Sequence, residues 1–170
     1  MLRLLLLRHA KSDQVTGLDD RDRPLAEVGR ADSIAMGQFM ARQGLVPALV
    51  LVSAALRTQQ TWALVAPAFS ATMVERLEPR LYNASAQSIL TLLQETDAGI
   101  GPLLVIAHNP GLSQLALRLC GAGDPAAIAR LRDGLPTTGL VAIDFALDRW
   151  SQLGDGLGTL SRFATPKTIS

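Results

Sequence analysis

Three short apolar runs constrain this chain more than any other feature: Leu2–Leu7 (LRLLLL), Leu49–Val52 (LVLV) and Leu103–Ala107 (LLVIA). Each stops abruptly at polar residues. Apolar runs of roughly four to eight residues with such ends read as strands of a sheet covered on both faces, and covered sheets are mostly parallel. A membrane span needs ~18 apolar residues and a secretory signal core ~7–15, so the run before Arg8 makes neither. The chain is accordingly expected in the cytoplasm, with no membrane partner.

Helical patterns fill the spaces between these runs. After Pro24 a helix is predicted to about Arg42, with Val28, Ala31, Ile34, Ala35 and Phe39 as its apolar stripe and Gly44 as terminator. Ser53 opens a second helix through Leu56, Gln60, Ala63 and Leu64, closed by Pro67. A weak strand is expected over Thr72–Leu77, with Pro79 barring it from a central place. Ser85 caps a helix striped by Ile89, Leu92 and Leu93. Asn109 as cap and Pro110 at the first helical position start another, carrying Leu112, Leu115, Ala116 and Leu119. Asp124 and Pro125 start one more, through Leu131. Leu140–Leu147 and Gly158–Phe163 read as strands of a hairpin or an edge addition. This alternation predicts an α/β domain spanning residues 1–170, a three-layer α/β/α sandwich with a mostly parallel central sheet.

The 16 basic and 15 acidic residues nearly cancel, so no general field exists for nucleic acid or an anionic membrane. Any basic character must be local. Cys120 is the only cysteine, which excludes an intrachain disulfide. Its setting, LALRLCGAG, reads as the apolar end of a helix and its thiol as a small buried hydrophobe. The polar stretch Lys11–Pro24 is a loop long enough to suggest a functional part.

The two histidines of the chain, His9 and His108, each follow directly on an apolar run. In open α/β sheets the ligand crevice lies outside the carboxyl ends of the strands. Both imidazoles are therefore expected in one crevice. Arg8 precedes His9, and Arg57 lies in the first turn or so after the second strand. Taken singly, each reads as ordinary: a solvated histidine, an exposed helix arginine, a capping histidine. Jointly they place two histidines and two arginines at the ends of separate strands, which suits an anion, above all a phosphoryl group. A metal site from both histidines and a carboxylate of the Asp-rich loop stays open, although the arginines count against it. No G-x-S-x-G elbow supports a serine hydrolase, and no G-x-x-x-x-G-K-[ST] loop supports nucleotide binding.

Four segments carry a resemblance along nearly the whole chain: LLLLRHAKS, DRPLAEVGRADSIAMG, LVSAALRTQQTW and LLVIAHNPGLSQLA. Together they resemble the histidine phosphatase superfamily, with its phosphoglycerate mutase-like fold, and within it the small SixA-type phosphohistidine phosphatases. The resemblance implies a hydrolase in which His9 takes the phosphoryl group as a covalent phosphohistidine. Arg8, Arg57 and His108 would hold the phosphoryl oxygens, His108 as a protonated donor, with Arg23 and Ser12 as further substrate contacts. The two histidines would then need different pKa values. No metal and no cofactor is implied.

Two positions depart from the wider family pattern. Ala10 stands where RHG is commoner, as in SixA-like members. The glutamate that mutase-like members use as general acid aligns with Pro79, leaving Glu78, one residue earlier, as the candidate acid. A weak acid favours an N–P substrate, because an imidazole leaves with far less help than an alkoxide. The fifty residues between Arg57 and His108 leave no room for a large lid. The expected partner is therefore a phosphohistidine-bearing protein. The alternatives are a small phosphoester substrate or a non-catalytic phosphoryl-binding module.

Overall fold

The computed structural model describes residues 1–170. Its strands are β1 (Leu2–Arg8), β2 (Leu49–Val52), β3 (Val74–Leu77), β4 (Leu103–Ala107), β5 (Cys120–Gly123), β6 (Leu140–Phe145) and β7 (Gly158–Ala164). Its helices are α1 (Glu27–Arg42), α2 (Leu56–Val65), α3 (Ala86–Gln94), α4 (Gly111–Leu119), α5 (Pro125–Asp133) and the short α6 (Pro166–Ile169). One sheet of seven strands runs in the order β3-β2-β4-β1-β6-β7-β5. The ladders of β1 with β4, of β4 with β2 and of β2 with β3 are parallel, and only β6 opposes its neighbours. No helix is long and apolar enough to cross a membrane.

Side chains of a strand alternate between faces, so a run buried throughout must serve two cores. Leu4 and Leu6 enter the larger core with α3, α4 and α5. Leu5 and Leu7 enter the smaller one with α1 and α2. All four are fully buried. This double cover holds β1 and β4 rigidly side by side, and their register sets Arg8 opposite Ala107. The residues just beyond, His9 and His108, thus emerge together.

Several expectations need correction. Most of the proposed stripe of α1 lies outside: Val28 and Ile34 are exposed, at 54% and 45%, and only Phe39 packs against the smaller core. The face that packs is Gly29, Ser33, Met36, Gly37 and Met40. Small residues bring the backbones close. A Cβ on Gly29 would strike the Lys11 carbonyl oxygen, and one on Gly37 would lie 2.6 Å from that of Val65. A pattern of apolar residues alone misses a helix packed through glycine and serine. Ser53 does not open α2, which begins at Leu56. Its start is held instead by Thr58, whose hydroxyl donates to the carbonyls of Ser53 and Ala55.

Helix α4 begins one residue later than expected, so Pro110 is its cap position. Asn109 still helps, accepting from the Ser113 amide at 3.2 Å. Cys120 caps the end of α4, its amide donating to the Ala116 carbonyl, and is also the first residue of β5, which pairs with β7. The thiol is partly buried, which pushes it up to about 11 and disfavours the thiolate. The last two strands do pair antiparallel, but inside the sheet; the edges are β5 and the exposed β3.

Candidate active site

The carboxyl ends of β1, β2 and β4 and the first turn of α2 converge on one polar cluster. His9 is 9% exposed and His108 is 4% exposed, with ring centroids 5.3 Å apart. The Nδ1 of His9 lies 2.8 Å from the carbonyl of Ala10. A carbonyl only accepts, so Nδ1 carries the proton and Nε2 keeps its lone pair. Ala10 is itself fixed, since its amide donates to the Thr61 hydroxyl of α2 at 3.0 Å. Thr138 closes the other side, its amide shared between the carbonyls of Arg8 and His9. It does so at φ 60, a left-handed conformation costly for a threonine.

His108 has the opposite tautomer. Arg57 Nη2 lies 3.4 Å from its Nδ1, and a guanidinium only donates. The ring proton is therefore on Nε2, which donates to Ser53 Oγ at 2.7 Å. Tyr82 presses its ring edge against this imidazole at 5.6 Å. Burial is the main cause that lowers His9 from 6.5 to about 4, aided by Arg57, Arg8 and Arg23. Burial, His9 and Arg57 lower His108 to about 3. Both rings are neutral at physiological pH. The surrounding arginines supply the positive charge, and a cationic imidazole beside them is unfavourable. The two rings differ in tautomer rather than in charge.

Arg57 is 5% exposed and turned inward. It donates through Nη1 to the Asp20 carbonyl at 2.7 Å and through Nη2 to Asp20 Oδ2 at 3.0 Å. Arg8 is half-buried. Its Nη1 reaches the Leu135 carbonyl at 3.1 Å, and its Nε is buried with no partner. An orphaned guanidinium nitrogen is a donor held ready for an anion. Burial and Arg57 lower the pKa of Arg8.

The long loop forms the outer wall. Its stem is pinned by a bridge between Ser12 and Leu25 and by the Asp13 amide on the Pro24 carbonyl. Arg23 spans it, donating to Asp13 O, Asp20 Oδ1 and Ser12 Oγ at 3.0, 3.0 and 2.7 Å. Arg23 and Ser12 thus join the cluster through each other and through Asp20. Asp20 accepts from Arg23, Arg57 and the Tyr82 hydroxyl. Those partners hold its carboxyl far below the usual carboxylate range, the Tyr82 hydrogen bond contributing most.

Glu78 is not brought to the cluster. Its carboxylate is bound by the Arg80 amide and guanidinium, and Arg80 also binds Glu95. Hydrogen bonds from Arg80 lower the Glu78 pKa, the reverse of what a general acid needs. Asp20, Ser53, Tyr82 and Thr138 are the site residues that sequence patterns missed. Ser53 at a strand end and Asp20 in a long polar loop were visible positions, but their partners lie 55 and 37 residues away. No three His, Cys, Asp or Glu side chains gather as a metal site.

Comparisons with known proteins bear on the family and the fold. Residues 4–85 match the model of the histidine phosphatase superfamily (branch 1). The chain is 35% identical over 167 residues to an uncharacterized protein of Mycobacterium tuberculosis, covering 95% of this chain and 100% of that protein. It superposes with a TM-score of 0.80 and 28% identity on a protein from Agrobacterium tumefaciens assigned as a phosphohistidine phosphatase SixA, covering 96% and 97% of the two chains. The protein histidine phosphatase SixA complexed with tungstate superposes at 0.78 with 24% identity, covering 99% of each chain, a likeness of fold.

Proposed function

Because the chain belongs to the histidine phosphatase superfamily, in its SixA-type group, and is a phosphatase, we propose that it is a metal-independent phosphohistidine phosphatase that works through a covalent phosphohistidine on His9. The observation that carries this reading is the state of His9: buried, neutral, and tied by Nδ1–H to Ala10 so that Nε2 is a lone-pair nucleophile. Arg8, Arg57 and Arg23 line the space before it, and Asp20 offsets one of their charges. The net is about two positive, matched to a phosphoryl dianion. Ser12 adds a hydroxyl at the rim through Arg23.

The step balances without an added acid. The Nε2 lone pair of His9 attacks phosphorus in line, and the N–P bond of the substrate breaks with its electron pair passing to the substrate imidazole. That ring carries a proton on its other nitrogen and leaves neutral. His9 retains its Nδ1–H on the Ala10 carbonyl and becomes a phosphorylated imidazolium. Water then attacks phosphorus, the electron pair returns to Nε2, and both water protons leave on dihydrogen phosphate. Arg8 and Arg57 neutralise the three oxygens throughout, and a planar fork suits them. His108, neutral, offers no proton to the leaving group, because its Nε2–H faces Ser53. With Glu78 turned to Arg80, no carboxylic acid stands ready for an alkoxide, which favours N–P substrates on a protein over small phosphate esters.

The test is direct. A 32P-labelled phosphohistidine peptide should leave acid-labile, base-stable label on the wild-type protein and none on His9→Ala, which should not turn over. Wild-type kcat/KM should be higher for that peptide than for small phosphate esters and should survive chelators. Label elsewhere, turnover by His9→Ala, or a preference for esters overturns the reading.

A further inference from the structure

The Asp20 carboxylate has no part in the steps above, yet it is the carboxylate that accepts from both Arg57 and Arg23. It lies on the loop that forms the outer wall, with its side chain 48% exposed while the Arg57 side chain beneath is 6% exposed. His9 is almost wholly buried, so a substrate reaches it from the solvent side. In-line attack by Nε2 drives the leaving group to the opposite side of phosphorus, which is the solvent side. A group leaving on the solvent side departs towards the wall that carries Asp20, which is bonded to Arg57 and Arg23.

We propose that Asp20 is the specificity-determining residue for an imidazole leaving group, accepting a hydrogen bond from the ring N–H of the phosphohistidine that is being cleaved. This rests on the phosphohistidine reading. Asp20 then does for the substrate ring what the Ala10 carbonyl does for His9. It keeps the proton on the nitrogen away from phosphorus, so that each ring leaves as neutral imidazole. No proton moves to or from Asp20 itself.

The groups that face Asp20 keep its carboxylate ionised. Arg57 of α2, Arg23 of the same loop and the Tyr82 hydroxyl all donate to it. Arg21 stands over the Tyr82 ring at 4.8 Å, adding positive charge nearby. His108 is the remaining titratable neighbour, and it is neutral. The carboxylate is therefore ionised across the physiological range. An ionised carboxylate cannot protonate an alkoxide, but it can stabilise a cationic ring. The same charge that leaves phosphate esters unaided selects a phosphorylated imidazole.

The experiment compares wild type with Asp20→Asn on a phosphohistidine peptide and on p-nitrophenyl phosphate, whose phenolate needs no proton. The ratio of the two kcat/KM values is read, because the amount of folded enzyme cancels from it. The ratio should fall roughly ten- to hundredfold in the variant, as expected for a hydrogen bond between charged groups. The optimum on the peptide should also move to lower pH, since more acid is needed to keep the substrate ring protonated. A ratio within a few-fold of wild type, with both activities falling together, shows that Asp20 only props the arginines and overturns the proposal. A wild-type enzyme inactive on the peptide but active on the ester instead overturns the phosphohistidine reading, and this proposal with it.

Discussion

Lowering the pH from about 7 to about 5 should remove about 4 kcal/mol of folding stability, through His9 and His108. Burial lowers these rings from 6.5 to about 4 and about 3. In the unfolded chain both return to the ordinary value. Between 6.5 and 4 the unfolded chain therefore takes up protons that the folded chain refuses. Stability is full above the unfolded value and falls as pH drops, because the unfolded state binds more protons. At about pH 5 an unfolded histidine is almost wholly protonated and a folded one almost wholly neutral, which costs about 2 kcal/mol for each ring. Asp20 acts in another window. Its folded pKa is depressed below 3.8, so its contribution is lost only in stronger acid. Glu78, lowered from 4.5, likewise contributes little change between these two values.

Urea unfolding followed by circular dichroism at the two pH values measures the difference. Buffers must be free of phosphate, since an anion bound to the native site would stabilise it by mass action. His9→Gln and His108→Gln should each remove about half of the pH dependence, whatever they do to stability at neutral pH. If wild type loses less than about 1 kcal/mol, or if the double variant keeps the full dependence, the two rings are not buried neutral and the tautomer assignments fall with them.

Two substitutions probe the parts that hold these rings. Arg57→Lys keeps the charge but loses the fork that serves Asp20 and faces His108. It should lower kcat/KM roughly 10²–10³-fold in steady-state assays, and a loss of only a few-fold would mean that a point charge suffices. Gly29→Ala places a Cβ on the Lys11 carbonyl and 2.9 Å from the Lys11 nitrogen. It should cost ~1–3 kcal/mol and lower the melting temperature, and an unchanged melt would show that α1 does not press on the segment after His9.

What could be seen in the chain and what could not divide along one physical line. The ends of β1, β2 and β4 were legible because a strand buried on both faces must be apolar and must stop where water begins. His9 and His108 could thus be placed in one crevice from local pattern alone. Their chemical state could not. The His9 tautomer depends on a neighbouring carbonyl, and that of His108 on Ser53 and Arg57, 55 and 51 residues away. The α1 face was misread for a related reason: Gly29, Ser33 and Gly37 pack through absence of bulk, which leaves no hydrophobic period to find. Asp20 is the sharpest case. In sequence it is one of several acidic residues in a polar loop. Only the fold sets it against Arg57 and Tyr82, 37 and 62 residues distant. On the proposed reading, the strand ends fix where phosphorus sits, while the loop decides which leaving group is helped away. Choice of substrate is therefore carried by contacts distant in sequence, and loop substitutions should alter it more readily than they alter the phosphoryl pocket itself.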